Sequence, residues 1–179
     1  MSLKRRQILA GAAAMLCAGS ASRARASLAA PRSRVLAFDN LHTGERLKVE
    51  YWADSAYVAD ALSRIDYVLR DFRTGDVHPI HPKLLDLLSD LQAQLGTEAA
   101  FSVISGYRSP KTNAMLRSEG HSGVAAGSLH MQGMAIDIRV PGRTLATVQQ
   151  AALALRLGGV GYYPTADFVH VDIGRVRLW

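Results

Sequence analysis

Two short segments of the 179-residue chain set ionisable side chains among apolar ones. In the first, Ser128 to Asp137, His130 closes a loop and Asp137 stands between Ile136 and Ile138; Gly133 permits a tight approach between them. In the second, Phe168 to Ile173, His170 and Asp172 alternate with Val169, Val171 and Ile173. Residues two apart on a strand point to the same face, so His170 and Asp172 project together while the apolar residues face a core. An ionised carboxylate in such a stretch is costly unless it is paired or bound to a metal. A salt bridge from Asp137 to Arg139 or Arg108, and a surface bond between His170 and Asp172, would explain each segment taken alone. Taken together, His130, Asp137 and His170 supply the three nitrogen and oxygen ligands that hydrolytic zinc sites use while keeping a position for water. One zinc per chain, held there, would lower the pKa of that water and polarise a scissile carbonyl.

A third segment, Ser105 to Pro110, puts Arg108 in a loop between a strand and a short helix. Its planar fork suits a substrate carboxylate or a developing oxyanion. A structural arginine bonded to backbone carbonyls fits the sequence equally well. The remaining histidines carry less. His78 and His81 have metal-like spacing, but Pro79 and Pro82 adjoin them and no carboxylate partner is evident, so both read as loop residues ahead of a helix. His121 lies in a Gly/Ser-rich loop, and His42 in the turn His42 to Glu45. The chain has no H-E-x-x-H, G-x-S-x-G or S-x-x-K motif, which removes support for serine acylation.

The elements that must position these groups follow from periodicity. Val35 to Phe38 and Leu47 to Trp52 read as strands joined around Thr43-Gly44. Asp54 or Ser55 can cap a helix whose apolar face runs from Val58 to Phe72. Pro82 opens a second helix with leucines at 84, 85, 88, 91 and 95, ended by Gly96. Phe101 to Ser105 reads as a strand, Ser109-Pro110 to Arg117 as a short helix, Ala135 to Val140 as a strand, and Thr144 to Leu157 as a helix closed by Gly158-Gly159. Val160 to Tyr163 and Phe168 to Ile173 form a hairpin. Strands and helices do not alternate strictly, so the expected fold is a small single α+β domain with a mainly antiparallel sheet.

Residues 1–26 have a different character. A basic start (Lys4, Arg5, Arg6), an apolar run from Ile8 to Ala18, and Ala24 and Ala26 before a cleavage point give the pattern of an export signal. Arg5-Arg6 followed by Gln7, Ile8 and Leu9 resembles a twin-arginine signal; an ordinary Sec signal is the other reading. The run is too short and too rich in Ala and Gly for a membrane-spanning helix, so no stable membrane insertion is expected after cleavage. Residues 27–33 then form a short tether, and residues 34–179 a single domain. The chain has 21 Lys+Arg and 15 Asp+Glu; five of the basic residues lie in the signal, leaving 16 against 15. Net charge therefore gives no case for nucleic-acid binding. Cys17, the only cysteine, also lies in the signal, which excludes thiol-based catalysis and disulfides in the remainder.

The pattern S-x-H-x-x-G-x-A-x-D at Ser128 to Asp137, with a late His-x-Asp, resembles the zinc D-Ala-D-Ala carboxypeptidase family, which also contains vancomycin-resistance dipeptidases and phage endolysins. An exported bacterial branch is more similar still. The shared marks are HTGE at His42 to Glu45, LRDFRTG at Leu69 to Gly75, SGYRSP at Ser105 to Pro110, SLHMQGMAIDI at Ser128 to Ile138, GGVGYY at Gly158 to Tyr163 and FVHVDIG at Phe168 to Gly174. The resemblance implies a fold shared with hedgehog signalling domains and D,D-peptidases. It implies zinc on His130, Asp137 and a residue of the last strand, and Arg108 acting on substrate. It implies peptide cross-links of peptidoglycan as substrate, hence an exported hydrolase working in the periplasm or cell envelope. Many relatives end in His-x-His or Glu-x-x-His, whereas this chain ends in His170-x-Asp172. Either His170 is the ligand and Asp172 a general base or a supporting carboxylate, or the two roles are exchanged. The expected assignment is His170 as ligand and Asp172 as catalytic base. The competing function is a catalytically silent peptidoglycan-binding domain of the same fold.

Overall fold

The computed structural model describes residues 33–120 and 124–179. The expected signal at 1–26, nearly all of the tether, and His121 lie outside the described residues; Ser33, assigned to the tether, already pairs with Ala53. The fold is α+β. The strands are β1 (Ser33–Asn40), β2 (Arg46–Ala53), β3 (Ala56–Tyr57), β4 (Phe101–Ser105), β5 (Ala135–Arg139), β6 (Gly159–Tyr163), β7 (Phe168–Asp172) and β8 (Arg177–Leu178). They form one sheet in the order β3-β2-β1-β4-β5-β7-β6-β8. Only the β1/β4 and β6/β8 pairs are parallel, so the sheet is mainly antiparallel.

Helices α1 (Ala59–Val68), α2 (Pro82–Leu95) and α4 (Leu145–Leu155) pack on the sheet, α1 against β2, α2 against β1 and α4 against β6 and β7. Leu84, Leu85, Leu88 and Leu91 of α2 and Val148 of α4 share one core with Ile136, Ile138, Val169 and Val171. Alternation along β5 and β7 then turns Asp137 and His170 to the other face. Helix α3 (Pro110–Ser118) starts where Ser109 Oγ accepts from Thr112 N, with proline in the first turn, as the sequence indicates.

Several boundaries differ from the expected ones for local reasons. Asp54 and Ser55 do not cap α1; both take positive φ in the β2–β3 turn, and Val58 precedes the helix with no side-chain cap. Helix α1 stops at Val68, short of Phe72. Asn40 Nδ2 donates to the Val68 carbonyl, and the Leu69 carbonyl accepts from Tyr107 N, so these acceptors are drawn out of the helix ladder. Helix α4 is capped by Thr144 and ends on Arg156 in the left-handed region, so of the two glycines expected to close it Gly158 lies in the following bend and Gly159 begins β6. The two-residue strands β3 and β8 carry no periodicity that sequence alone could show.

Candidate metal centre

Three strands and one turn bring the site together. Asp137 of β5 and His170 of β7 are direct cross-strand partners, and Asp137 is also opposite Ser105 of β4. His130 comes from a 3-10 turn, Leu129–Gln132, whose C-cap Gly133 has φ 64. A side chain at Gly133 would drive into the Pro79 carbonyl, so only glycine lets this turn sit against the Pro79–His81 segment.

His130, Asp137 and His170 are all buried. His130 Nε2 lies 3.2 Å from His170 Nδ1 and 3.3 Å from Asp137 Oδ1, and His170 Nδ1 lies 2.8 Å from Asp137 Oδ1. These atoms form a small triangle. Tetrahedral zinc with bonds near 2.0–2.1 Å separates its ligand atoms by about 3.3 Å; the two edges from His130 Nε2 match this, and the 2.8 Å edge between His170 and Asp137 is shorter, as a hydrogen bond is. The donor set is also of the right chemistry, two imidazole nitrogens and one carboxylate oxygen. The group could hold a metal without rearrangement of its backbone.

The partners behind each histidine set its proton. His130 Nδ1 lies 2.7 Å from the Gly106 carbonyl, which can only accept. Nδ1 therefore carries hydrogen, and Nε2 presents its lone pair to the cluster. Burial lowers the His130 pKa, in keeping with a neutral ring. His170 sits between two carboxylates, with Nδ1 on Asp137 and Nε2 on Asp172 Oδ2 at 3.1 Å. Burial works against its charge, but the bonds to Asp137 and Asp172 outweigh burial and raise its pKa to about 9. Burial likewise disfavours ionisation of Asp137, yet the neighbouring histidines hold it far below the ordinary carboxylate range.

Asp172, the residue expected to act as catalytic base, lies behind the His170 ring. Its carboxylate is completely buried, on the far edge of the His170 ring from the cluster. Oδ1 accepts from Gly159 N (3.0 Å), Gly174 N (2.8 Å) and Arg177 Nη1 (3.2 Å), and Oδ2 from Arg177 Nη2 (2.6 Å) as well as His170. Burial opposes ionisation here too, but the His170 bond and these N–H groups keep Asp172 ionised well below its ordinary range. The accepting positions of both oxygens are engaged, and Asp172 does not line the hollow over the three ligand atoms. The arrangement is that of a carboxylate orienting an imidazole through its rear nitrogen.

Arg108 does line that hollow, with Ser128, Tyr163 and Phe168. Its Nη2 is 3.5 Å from Asp137 Oδ2 and its Nη1 3.5 Å from Asn113 Oδ1, both long, and its buried Nε has no partner among the described residues. Burial is the main cause of a lowered Arg108 pKa, although a guanidinium stays charged at working pH. A buried cation with unsatisfied donors facing a hollow is a ready anion receptor.

Some contributors were not evident from the sequence. Asp71 is buried and accepts from Ser109 N at 2.8 Å, anchoring the loop that carries Arg108. Arg177 of β8 and Trp179 just past it close the site. The Trp179 ring centroid is 5.2 Å from that of His170, and its indole N–H donates to Tyr163 Oη at 2.7 Å. A buried carboxylate needs a counter-charge, and that requirement was the one signal that could have pointed to Arg177. His81 caps α2 by accepting from Lys83 N, and His78 stacks on Tyr107; neither belongs to the cluster.

A family model described as peptidoglycan L,D-endopeptidase MepK matches residues 28–179. The chain belongs to this peptidase family. It is 43% identical over 176 residues to the peptidoglycan L,D-endopeptidase MepK of Escherichia coli K12, covering 98% of this chain and 96% of that protein. It is 45% identical over 155 residues to the probable peptidoglycan L,D-endopeptidase MepK of Haemophilus influenzae, covering 86% and 83%. Among solved structures, the Serratia marcescens L-Ala D-Glu endopeptidase ChiX aligns over 54% of this chain and 68% of its own, with 20% identity and a TM-score of 0.34.

Proposed function

We propose that this chain is a zinc-dependent endopeptidase that hydrolyses peptide cross-links of peptidoglycan outside the cytoplasm. The observation that carries the reading is the buried His130–Asp137–His170 triangle beneath a hollow edged by Arg108. Family membership and near full-length similarity to named L,D-endopeptidases support the substrate class. Zinc bound to the three residues would supply a water acidified to near neutral pH and a Lewis acid for the scissile carbonyl.

The chain's own residues divide the remaining work. Gly106 fixes the His130 tautomer, and Asp172 holds the Nε2–H of His170, so that with zinc bound both rings would present a lone pair to one point. Arg177 and two backbone N–H groups keep Asp172 ionised for that task. Arg108 binds a stem carboxylate next to the scissile bond and orients the peptide over the cluster. Phe168 and Tyr163 stack at 4.6 Å between centroids and give the hollow an apolar rim that excludes bulk water. A silent binding domain would have no need of such an intact and mutually supported ligand set.

Export by the signal at residues 1–26 is part of the proposal, because the substrate lies outside the cytoplasm. The family match begins at residue 28, just past the expected cleavage after Ala26, which agrees with a removable leader. The deciding experiment is digestion of purified sacculi by mature protein, with and without chelator, followed by mass analysis of the fragments. Chelator-sensitive opening of peptide cross-links is expected. Intact cross-links after treatment with zinc-loaded protein would refute the reading.

A further inference from the structure

The hollow over the cluster opens into a longer groove of about 330 Å³, lined by His42, Arg73, Arg108, Tyr163, Ala166 and Phe168 among others. The geometry points to Arg73 as a second carboxylate-binding residue of this groove, one that selects stems bearing an acid group on the side of the scissile bond away from Arg108. This inference rests on the peptidase reading above and names a determinant of its specificity.

The groove is cationic by construction. Asp137 is the only carboxylate among its lining residues, and that group is already engaged by two imidazoles. Among the described residues no carboxylate pairs with Arg73. Its guanidinium lies 4.2 Å from the centre of the Phe72 ring, an aromatic shelf that orients the fork without neutralising it. His42 stacks on the same Phe72 ring at 3.8 Å, nearly parallel, and joins the groove wall. Arg73 and Arg108 are close enough to oppose each other's charge. After burial, the repulsion of Arg73 is among the causes that lower both Arg108 and His42. Two guanidiniums sharing one groove whose single lining carboxylate is already held by two imidazoles create a positive potential that a dianionic peptide would relieve.

The two arginines are also held as a pair. Asp71, buried, accepts from Arg73 N through Oδ1 at 2.9 Å and from Ser109 N through Oδ2 at 2.8 Å. One carboxylate thus ties the turn bearing Arg73 to the loop bearing Arg108. The turn is closed by Gly75 N to Asp71 O at 2.7 Å and by Asp71 N to Asp76 O at 3.0 Å. Arg73 is exposed on the groove wall, and this link holds its backbone at a set distance from the loop of Arg108. That suits a receptor with two prongs, because carboxylates on either side of a peptide bond have a limited range of separations.

The test uses the zinc-loaded mature protein and a soluble cross-linked stem dimer. Two analogues are added, each with one of the carboxylates flanking the scissile bond converted to carboxamide. Wild type should lose roughly tenfold in kcat/KM on either amidation, the scale of one charge-assisted contact. Arg73→Gln should erase the discrimination at one carboxylate and keep it at the other, and Arg73→Lys should recover part of it. Zinc content and thermal stability of the variants, measured in parallel, exclude a folding defect. If Arg73→Gln leaves both discrimination ratios at their wild-type values, the assignment is overturned. A wild-type protein that leaves the parent dimer uncut overturns the peptidase reading instead, before any variant is compared.

Discussion

Asp172 Oδ2 lies 3.1 Å from His170 Nε2, on the edge of the ring opposite the Nδ1 that meets Asp137. This relationship bears on the division of roles along β7. Strand spacing alone puts both side chains on one face; it does not say whether the carboxylate stands beside the imidazole or behind it. Gly159 makes the second arrangement possible, because a Cβ there would lie only 2.6 Å from Asp172 Oδ2.

Asp172→Asn should therefore weaken zinc binding by roughly 10- to 100-fold, the usual effect of removing a supporting carboxylate. The fall in activity should be largely reversed by excess zinc. Competition titration against a chromogenic chelator measures the first effect, and turnover at saturating zinc the second. Full zinc affinity combined with lost turnover would return Asp172 to the role of general base.

Arg177 supplies the counter-charge to a carboxylate that has no exposure. Arg177→Met should destabilise the fold by roughly 3 kcal/mol, near the lower end for breaking a buried pair, since Arg177 itself is partly exposed. Adding Asp172→Asn to it should restore part of that loss, because the orphaned charge is then gone. Denaturant titration of the four proteins in the cycle gives the coupling directly. Additive losses would mean that the pair contributes little.

Most of the fold was legible because periodicity reports burial. The Phe101–Ser105 strand and the Pro82–Leu95 helix stand at their expected limits, the latter marked by proline, a leucine stripe and a left-handed Gly96. The His130, Asp137 and His170 cluster was legible for a related reason: charges among Ile and Val residues demand partners. What could not be read was long-range hydrogen bonding. The Leu69 carbonyl is taken by Tyr107, which ends α1 early, and no local pattern in Val58 to Phe72 announces that. The anchoring by Asp71 could not be read either, because its partners are 2 and 38 residues away. The side of the His170 ring on which Asp172 lies depends on Gly159 of β6 and Arg177 of β8, whose contacts with Asp172 follow from strand pairing and not from residue spacing.

Export should depend on Arg5 and Arg6 if the leader is of the twin-arginine type. Replacing both with lysine should trap full-length precursor inside the cell, as seen by fractionation and immunoblot. Continued export of that variant, together with sensitivity to a Sec inhibitor, would assign the ordinary route.

Asp71 links stability, pH and the groove. Burial opposes its ionisation, but bonds from Thr112, Ser109 and Arg73 outweigh burial and lower its pKa below the ordinary 3.8. A carboxylate with a depressed folded-state pKa binds its proton more readily when unfolded. Its contribution is therefore present above the unfolded value and disappears as pH falls through the folded one. Asp71→Asn keeps one acceptor but turns an NH2 group toward a backbone N–H that formerly donated to it. Two donors facing each other in a buried site should cost about 2 kcal/mol or more at neutral pH, since a hydrogen bond to a charged group is lost and a buried N–H is stranded. The gap between wild type and variant should hold from pH 7 to about pH 5 and narrow below 3.8, where the unfolded wild-type chain begins to take up the proton that the folded one still resists. The same substitution frees the Arg73 turn and the Ser109 loop from each other, so KM should rise together with the loss of stability. Chemical denaturation from pH 3 to pH 7, with kinetics at neutral pH, reads both effects. A stability gap that stays constant down to pH 3 would show that the charge on Asp71 contributes nothing, and an unchanged KM would show that the two arginines do not depend on it for their spacing.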